Sequence, residues 1–81
     1  MGKKFVAVTA RFDLEGKISP LSIEWEDGRI FEIDRILDVR RAASLKAGGM
    51  GWRYTVRIHG KETYLFYDLC EEKWFVDARG S

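Results

Sequence analysis

The chain has 81 residues, of which 46% are hydrophobic and 33% are charged, the composition of one small soluble domain. No apolar run approaches the roughly 20 residues that cross a bilayer, and the basic start lacks the apolar segment of a signal peptide, so we expect a cytoplasmic protein without membrane contact. One cysteine, Cys70, excludes an intrachain disulfide, and together with one histidine, His59, it cannot form a conventional zinc cluster.

The side chains that catalysis uses most often are few and scattered. Ser19, Ser22 and Ser44 do not lie in nucleophile motifs. His59 lies beside a predicted hairpin loop, and Cys70 precedes two glutamates, which disfavour a reactive thiolate. We therefore expect a protein that is not an enzyme and that holds no metal ion or cofactor.

The first third of the chain predicts two strands. Residues 4–12 hold two valines, two phenylalanines and a threonine and predict the first strand, and residues 13–17 form its turn. Pro20 marks the start of the second strand, where its missing N–H costs little.

The next hairpin turns at residues 26–28. A two-residue loop would mix apolar and polar residues on both faces of the hairpin, whereas a three-residue loop pairs Ile23 with Phe31 and keeps the faces separate. We therefore predict the three-residue loop, with Gly28 in the left-handed region.

Two interpretations, a strand and a helix, fit the residues that follow this hairpin. Strand alternation runs to about Val39 but is broken at Arg35, which predicts a bulge or bend near Asp34. The alternative is a helix over residues 34–46, but its apolar stripe is poor. We predict a strand to about Val39, followed by a helical turn or loop through Ala47.

The clearest hairpin covers residues 52–69. Its loop is either Gly60-Lys61 or His59-Gly60, and the same residues share a face in both registers. One face is apolar on both arms, and the other combines cations with aromatic rings. This mixed face holds Arg53, Arg57, Tyr64 and Phe66.

A last strand at residues 73–77 closes the sheet after a tight turn. Five to six strands, with at most one short helical turn, predict a mainly β fold, a small antiparallel β-barrel or rolled sheet of the SH3-like or OB-like kind. We expect a single domain over residues 1–79 and interpret residues 80–81 as an expression remnant.

Charge is distributed unevenly along the chain, although the net charge is only +1. Residues 13–38 hold eight acids and three bases, whereas residues 39–61 hold six bases and no acid. Such a run of cations is typical of a surface that binds anions, although carboxylates from neighbouring strands can neutralise it in a folded sheet.

Two hypotheses fit the mixed face of the 52–69 hairpin. In one, Tyr64 and Phe66 form a second layer of core with the arginines along its rim, since aromatic residues are frequent in strands. In the other, rings and guanidinium groups form a binding face through stacking and cation–π contacts. The candidate binding residues are Arg40, Arg41, Lys46, Trp52, Arg53, Arg57, Tyr64 and Phe66.

The order and spacing of these segments resemble a group of bacterial domains. The segments are Ile23-Glu-Trp25, Phe31-Glu-Ile33, Ile36-Leu-Asp38, Tyr54-Thr-Val-Arg57, Tyr64-Leu-Phe66 and Trp74-Phe-Val76, with a gap rich in glycine and basic residues before the fourth. The pattern is similar to uncharacterised small barrel domains of Gram-positive bacteria, some of which accompany Y-family DNA polymerases of the mutagenesis system. The resemblance implies an accessory or recruitment module in DNA damage tolerance, and no functional residue carries over.

The sequence thus predicts an interaction module, with two hypotheses for its partner. The first is nucleic acid, with cations on the phosphates and rings beneath the bases. The second is a protein–protein adaptor or homodimerising module that uses the same face or an exposed strand edge. Both a monomer and a homodimer are compatible with these hypotheses.

Overall fold

The computed structural model of the protein describes residues 3–43 and 50–77. This part of the chain consists of seven strands and their connecting turns, with no helix. The strands form one antiparallel sheet in the order β3-β2-β1-β7-β6-β5-β4. Their bounds are Lys3–Phe12 (β1), Ile18–Glu24 (β2), Ile30–Glu32 (β3), Arg35–Ala43 (β4), Met50–Ile58 (β5), Lys61–Asp68 (β6) and Lys73–Asp77 (β7).

The mainly β class is confirmed, but the predicted count of five to six strands is wrong. The extra strand arises because the segment predicted as one strand to Val39 is divided at residues 33–34. Its first part, β3, pairs with β2, and its second part, β4, pairs with β5 at the other end of the strand order. Two residues can connect opposite ends of a sheet only because the sheet is curled, and it forms an antiparallel half-barrel.

The second part of this segment is longer than predicted. Strand β4 continues past Val39 to Ala43, which pairs with Met50, so the helical turn expected after Val39 does not occur in residues 40–43. Pairing with β5 supplies ladder hydrogen bonds that the local sequence does not reveal. The register shifts between Ile36 and Asp38, so the predicted bulge lies slightly beyond Asp34. The rest of the predicted turn, residues 44–47, lies outside the described residues.

The β5–β6 hairpin uses His59-Gly60 as its loop. Ile58 pairs with Lys61, and both loop residues have positive φ, 53° for His59 and 78° for Gly60. Two positive φ angles define a type I′ turn, whose twist matches that of the strands. The faces are those predicted, and the register is the second of the two that the sequence allows.

The β2–β3 hairpin has the predicted three-residue loop. Ile23 pairs with Phe31, and the backbone N–H of Trp25 donates to the carbonyl of Arg29 at 2.8 Å. Gly28 has a φ of 89°, a conformation that glycine adopts without steric cost. Separation of apolar from polar side chains therefore predicted this loop correctly.

The core lies on the concave, inner face of the half-barrel. Trp74 packs against Tyr67 and Tyr54, with ring centroids 4.7 Å and 5.5 Å apart. The hydroxyl of Tyr54 donates to the carbonyl of Ile18 at 2.8 Å, a bond that ties β5 to β2 across the inner face. The buried apolar residues are Ile23, Tyr54, Val56, Leu65, Tyr67 and Trp74.

Stability is expected to fall at alkaline pH, in part through Tyr54. Burial, and secondarily the neighbouring Tyr67, raise the pKa of Tyr54 above its ordinary value of 10.0. Above about pH 10 the unfolded chain therefore loses this proton before the folded chain does, so the free energy of unfolding decreases as pH rises and is unaffected by this group below pH 10.

Urea unfolding followed by tryptophan fluorescence between pH 8 and pH 11 tests this expectation. Tyr54→Phe removes the titrating hydroxyl, so its stability should decrease less steeply with pH than that of the unaltered protein. At pH 8 the variant should be less stable by about 1 kcal/mol, because the carbonyl of Ile18 loses its donor. Identical pH profiles for the two proteins would contradict the assignment to Tyr54.

Candidate functional site

The outer, convex face of the sheet carries a continuous row of four aromatic rings. The register places Phe66 of β6 opposite Phe75 of β7, and Phe75 opposite Phe5 of β1. Phe66 and Phe75 are stacked, with centroids 5.0 Å apart and planes within 7°. Tyr64 meets Phe66 edge-on at 6.4 Å, and Phe5 meets Phe75 edge-on at 6.0 Å. We call Phe5, Tyr64, Phe66 and Phe75 the outer aromatic row.

The outer aromatic row is open to solvent at both ends. Tyr64 and Phe5 each expose 50% of their surface, and Phe66 and Phe75 between them are half-buried by stacking. Among the described residues, the buried core includes none of the four. Of the two rings in the second-layer hypothesis, Tyr64 is therefore a surface residue, whereas Phe66 is partly buried against Phe75.

Each end of the outer aromatic row has a cation over its exposed ring. The guanidinium carbon of Arg53 lies 4.8 Å from the centroid of Tyr64, and the ammonium of Lys73 lies 5.3 Å from that of Phe5. The ring quadrupole attracts a cation in this position, so both groups are held above the face.

Arg53 has an unusual environment. Its side chain is half-buried, and its Nε is buried without a hydrogen-bond partner among the described residues. A buried donor without an acceptor is unfavourable, and the cation–π contact with Tyr64 offsets part of that cost.

Carboxylates lie on the same outer face and reduce its positive charge. The Nε of Arg40 donates to Asp38 at 2.6 Å, and Arg57 pairs in register with Glu62. The hydrogen bond from Arg40 lowers the pKa of Asp38 below its ordinary value of 3.8. Because both side chains of the Asp38–Arg40 pair are well exposed, the pair contributes little to stability.

The predicted binding residues do not all share one face. Alternation along β4 and β5 turns Arg41 and Trp52 to the inner face, where they pair in register and the guanidinium carbon lies 5.4 Å from the Trp52 ring. Lys46 lies outside the described residues. The residues that the outer face does bring together are Arg40, Arg53, Arg57, Tyr64 and Phe66.

Sequence reasoning missed three residues of this face: Phe5, Phe75 and Lys73. Phe75 could have been predicted from the alternation of its strand, because Trp74 and Val76 flank it and belong to the core side of β7. Phe5 could not have been predicted, because its place beside Phe75 follows from the pairing of β1 with β7, which are about 70 residues apart in the chain.

Within residues 3–43 and 50–77, no group of three or more histidine, cysteine, aspartate or glutamate side chains is placed to hold a metal ion. The same residues contain no helix of the length and hydropathy that a membrane span requires.

Comparison with known proteins provides no relative from which a function could be transferred. The chain matches no protein-family model, no curated protein and no solved structure.

Proposed function

We propose that the protein binds single-stranded nucleic acid on the outer face of its sheet. Bases stack on the outer aromatic row, and phosphates lie beside Arg53 and Lys73. The observation that carries this proposal is the row of four adjacent rings with a cation over the ring at each end.

Stacking supplies the larger part of the affinity in this proposal. Every base has a π-face, and a base stacked on an aromatic side chain is worth about 1–3 kcal/mol by alanine substitution. Tyr64 and Phe5 expose half of their surface and are the platforms, each through the ring face that its cation does not cover. The stacked Phe66 and Phe75 fix the spacing between them. Sheets with exposed rings on adjacent strands bind two or three bases of single-stranded RNA in the same way.

Electrostatics contribute less, because carboxylates already accompany some of the cations. Arg40 is paired with Asp38, and Arg57 and Lys73 lie opposite Glu62 and Asp68 in the ladders. Arg53 and Lys73 are the two cations that contact rings of the outer aromatic row, and they are the candidates for the phosphate contacts. About two phosphate contacts are expected. A plot of the logarithm of the association constant against the logarithm of the salt concentration should therefore have a slope of about −1.4. A groove that bound by charge alone would give a much steeper slope.

Fluorescence anisotropy with a labelled oligothymidine tests the proposal. Tyr64→Ala and Phe5→Ala should each weaken binding by roughly 5- to 150-fold, the equivalent of one lost stacking contact. Phe12→Ala is the matched control, because Phe12 is an exposed phenylalanine of the same strand as Phe5 and lies outside the row. No binding at low salt, or equal loss in the control, would exclude this function.

A protein partner is the second candidate, and the mixed charge of the outer face favours it. Asp38 and Glu62 lie beside Arg40 and Arg57, and such alternation suits a protein surface that also carries both signs. Capture from a cell lysate with and without nuclease separates the two candidates. Partners retained after nuclease treatment and lost in Tyr64→Ala would favour the adaptor.

The resemblance to small barrel domains that accompany Y-family polymerases adds one expectation to the first candidate. The nucleic acid would be single-stranded DNA at damaged templates, and the protein would act as an accessory to its copying. Preference for oligodeoxynucleotides over the corresponding RNA and over duplex DNA checks this expectation in the same anisotropy assay.

A further inference from the structure

Within residues 3–43 and 50–77, strand β4 has a neighbour on one side only, so it leaves one long edge of the described sheet unpaired. It pairs with β5 on one side and ends the strand order on the other, over nine residues from Arg35 to Ala43. The opposite edge, β3, has only three residues. A long edge presents backbone N–H and C=O groups that can pair with another strand. Leu37 and Val39 on this edge remain exposed to 37% and 38%, respectively, although both are apolar.

We propose that β4 pairs with β4 of a second copy of this chain, antiparallel about a two-fold axis at Val39. In this register Asp38 lies opposite Arg40 of the partner subunit, and Arg40 lies opposite the partner subunit's Asp38. Within one copy, Asp38 and Arg40 lie two residues apart on the outer face of β4, where the Nε of Arg40 donates to Asp38 at 2.6 Å. Opposite charges directly across a ladder stabilise it, and like charges destabilise it.

The charges select this register over its neighbours. An axis at Asp38 would place two identical carboxylates opposite each other, and an axis at Arg40 would place two identical guanidinium groups opposite each other. An axis at Val39 instead gives an alternating square of two Asp38 and two Arg40 side chains. It also places the two exposed Val39 side chains against each other, where they bury apolar surface.

This pairing uses the edge of the sheet and leaves the outer aromatic row free. It would join the outer faces of the two copies into one surface, on which Arg40 and Arg53 of each copy lie near the axis, since these two residues pair across β4 and β5. The dimer is therefore independent of the proposed binding function, and each can fail without the other.

Charge reversal tests the dimer, with sedimentation equilibrium of the full chain over a wide concentration range as the measurement. The unaltered protein should be dimeric at high concentration. Asp38→Arg and Arg40→Asp alone should each be monomeric, because each places like charges across the axis. A mixture of these two variants, and the double variant, should both recover the dimer, because opposite charges face each other again.

Disulfide formation tests the register. Opposed Cα atoms of an antiparallel pair lie about 4.5–5.5 Å apart, within the range of about 4.4–6.8 Å that a disulfide spans. In a Cys70→Ser background, which removes the exposed free thiol, Val39→Cys should form a covalent dimer on mild oxidation. Leu37→Cys is the matched control and should not, because in this register Leu37 lies opposite the partner's Arg41.

Two results would overturn the proposal. The first is a monomer at every concentration of the unaltered protein. The second is a dimer that both charge reversals leave intact, since association would then use another surface, such as the outer aromatic row.

Discussion

Replacing Leu65 with alanine is expected to lower the free energy of unfolding by about 2–5 kcal/mol. Leu65 has no solvent exposure and lies in the centre of the inner-face core, with Val56 on the neighbouring strand equally buried. The substitution removes apolar surface from the core and leaves a cavity that a close-packed interior fills only in part. A domain of this length has about 4–12 kcal/mol of total stability, so the loss is a large fraction of it.

Leu14→Ala is the matched control, because Leu14 lies in the turn between β1 and β2 and is fully exposed. The same chemical change there should alter stability by no more than about 0.5 kcal/mol. Urea denaturation monitored by tryptophan fluorescence measures both variants. Equal midpoints for the two would mean that Leu65 is not at the centre of the core.

Gly51→Ala is expected to destabilise the sheet by about 3 kcal/mol or more, at the upper end of what added atoms cost in a packed site. A Cβ at this position would lie 2.2 Å from the carbonyl oxygen of Tyr67, a backbone atom of the neighbouring strand. Gly51 pairs with Asp68 in the β5–β6 ladder, so the oxygen cannot withdraw without separating the strands. Only glycine permits this close approach of two backbones.

Gly16→Ala separates this steric effect from the general cost of replacing glycine. Gly16 has a φ of +84°, and a Cβ there would enter open space, so the cost is backbone strain of about 1–2 kcal/mol. In thermal unfolding, 1 kcal/mol corresponds to a shift in Tm of about 4–8 °C for a domain of this size. The Gly51 variant should therefore melt clearly below the Gly16 variant, and the reverse order would contradict the close contact at Tyr67.

Short-range patterns determined much of the fold. The loop at residues 26–28 followed from the need to keep Ile23 and Phe31 on one face, and the structure has that pairing. In the 52–69 hairpin the period of two determined which side chains share a face, although two loops and two registers remained open. A one-residue slip would expose the apolar face, so sequence alternation carries this information without any knowledge of the partner strands.

Local sequence patterns could not predict contacts between segments that are far apart in the chain. The division of residues 30–43 into β3 and β4 depends on which strand each part pairs with, and no local pattern specifies that choice. Five of the eight predicted binding residues came from a run of cations in the chain, and the other three, Trp52, Tyr64 and Phe66, were chosen for their rings. Neighbouring residues of a strand, however, point to opposite faces. Arg40 and Arg41 are therefore on different sides of the sheet.

The sequence by itself determined the β class, the loop at residues 26–28 and the two faces of each hairpin, because these depend on residues that are close together in the chain. The tertiary structure alone decided that Phe5 joins Phe75, Phe66 and Tyr64 in one row, and that β4 is the last strand at one end of the described sheet. Both features follow from the order in which the strands pair. That order is set by the burial of all inner-face side chains at once, which no single segment encodes.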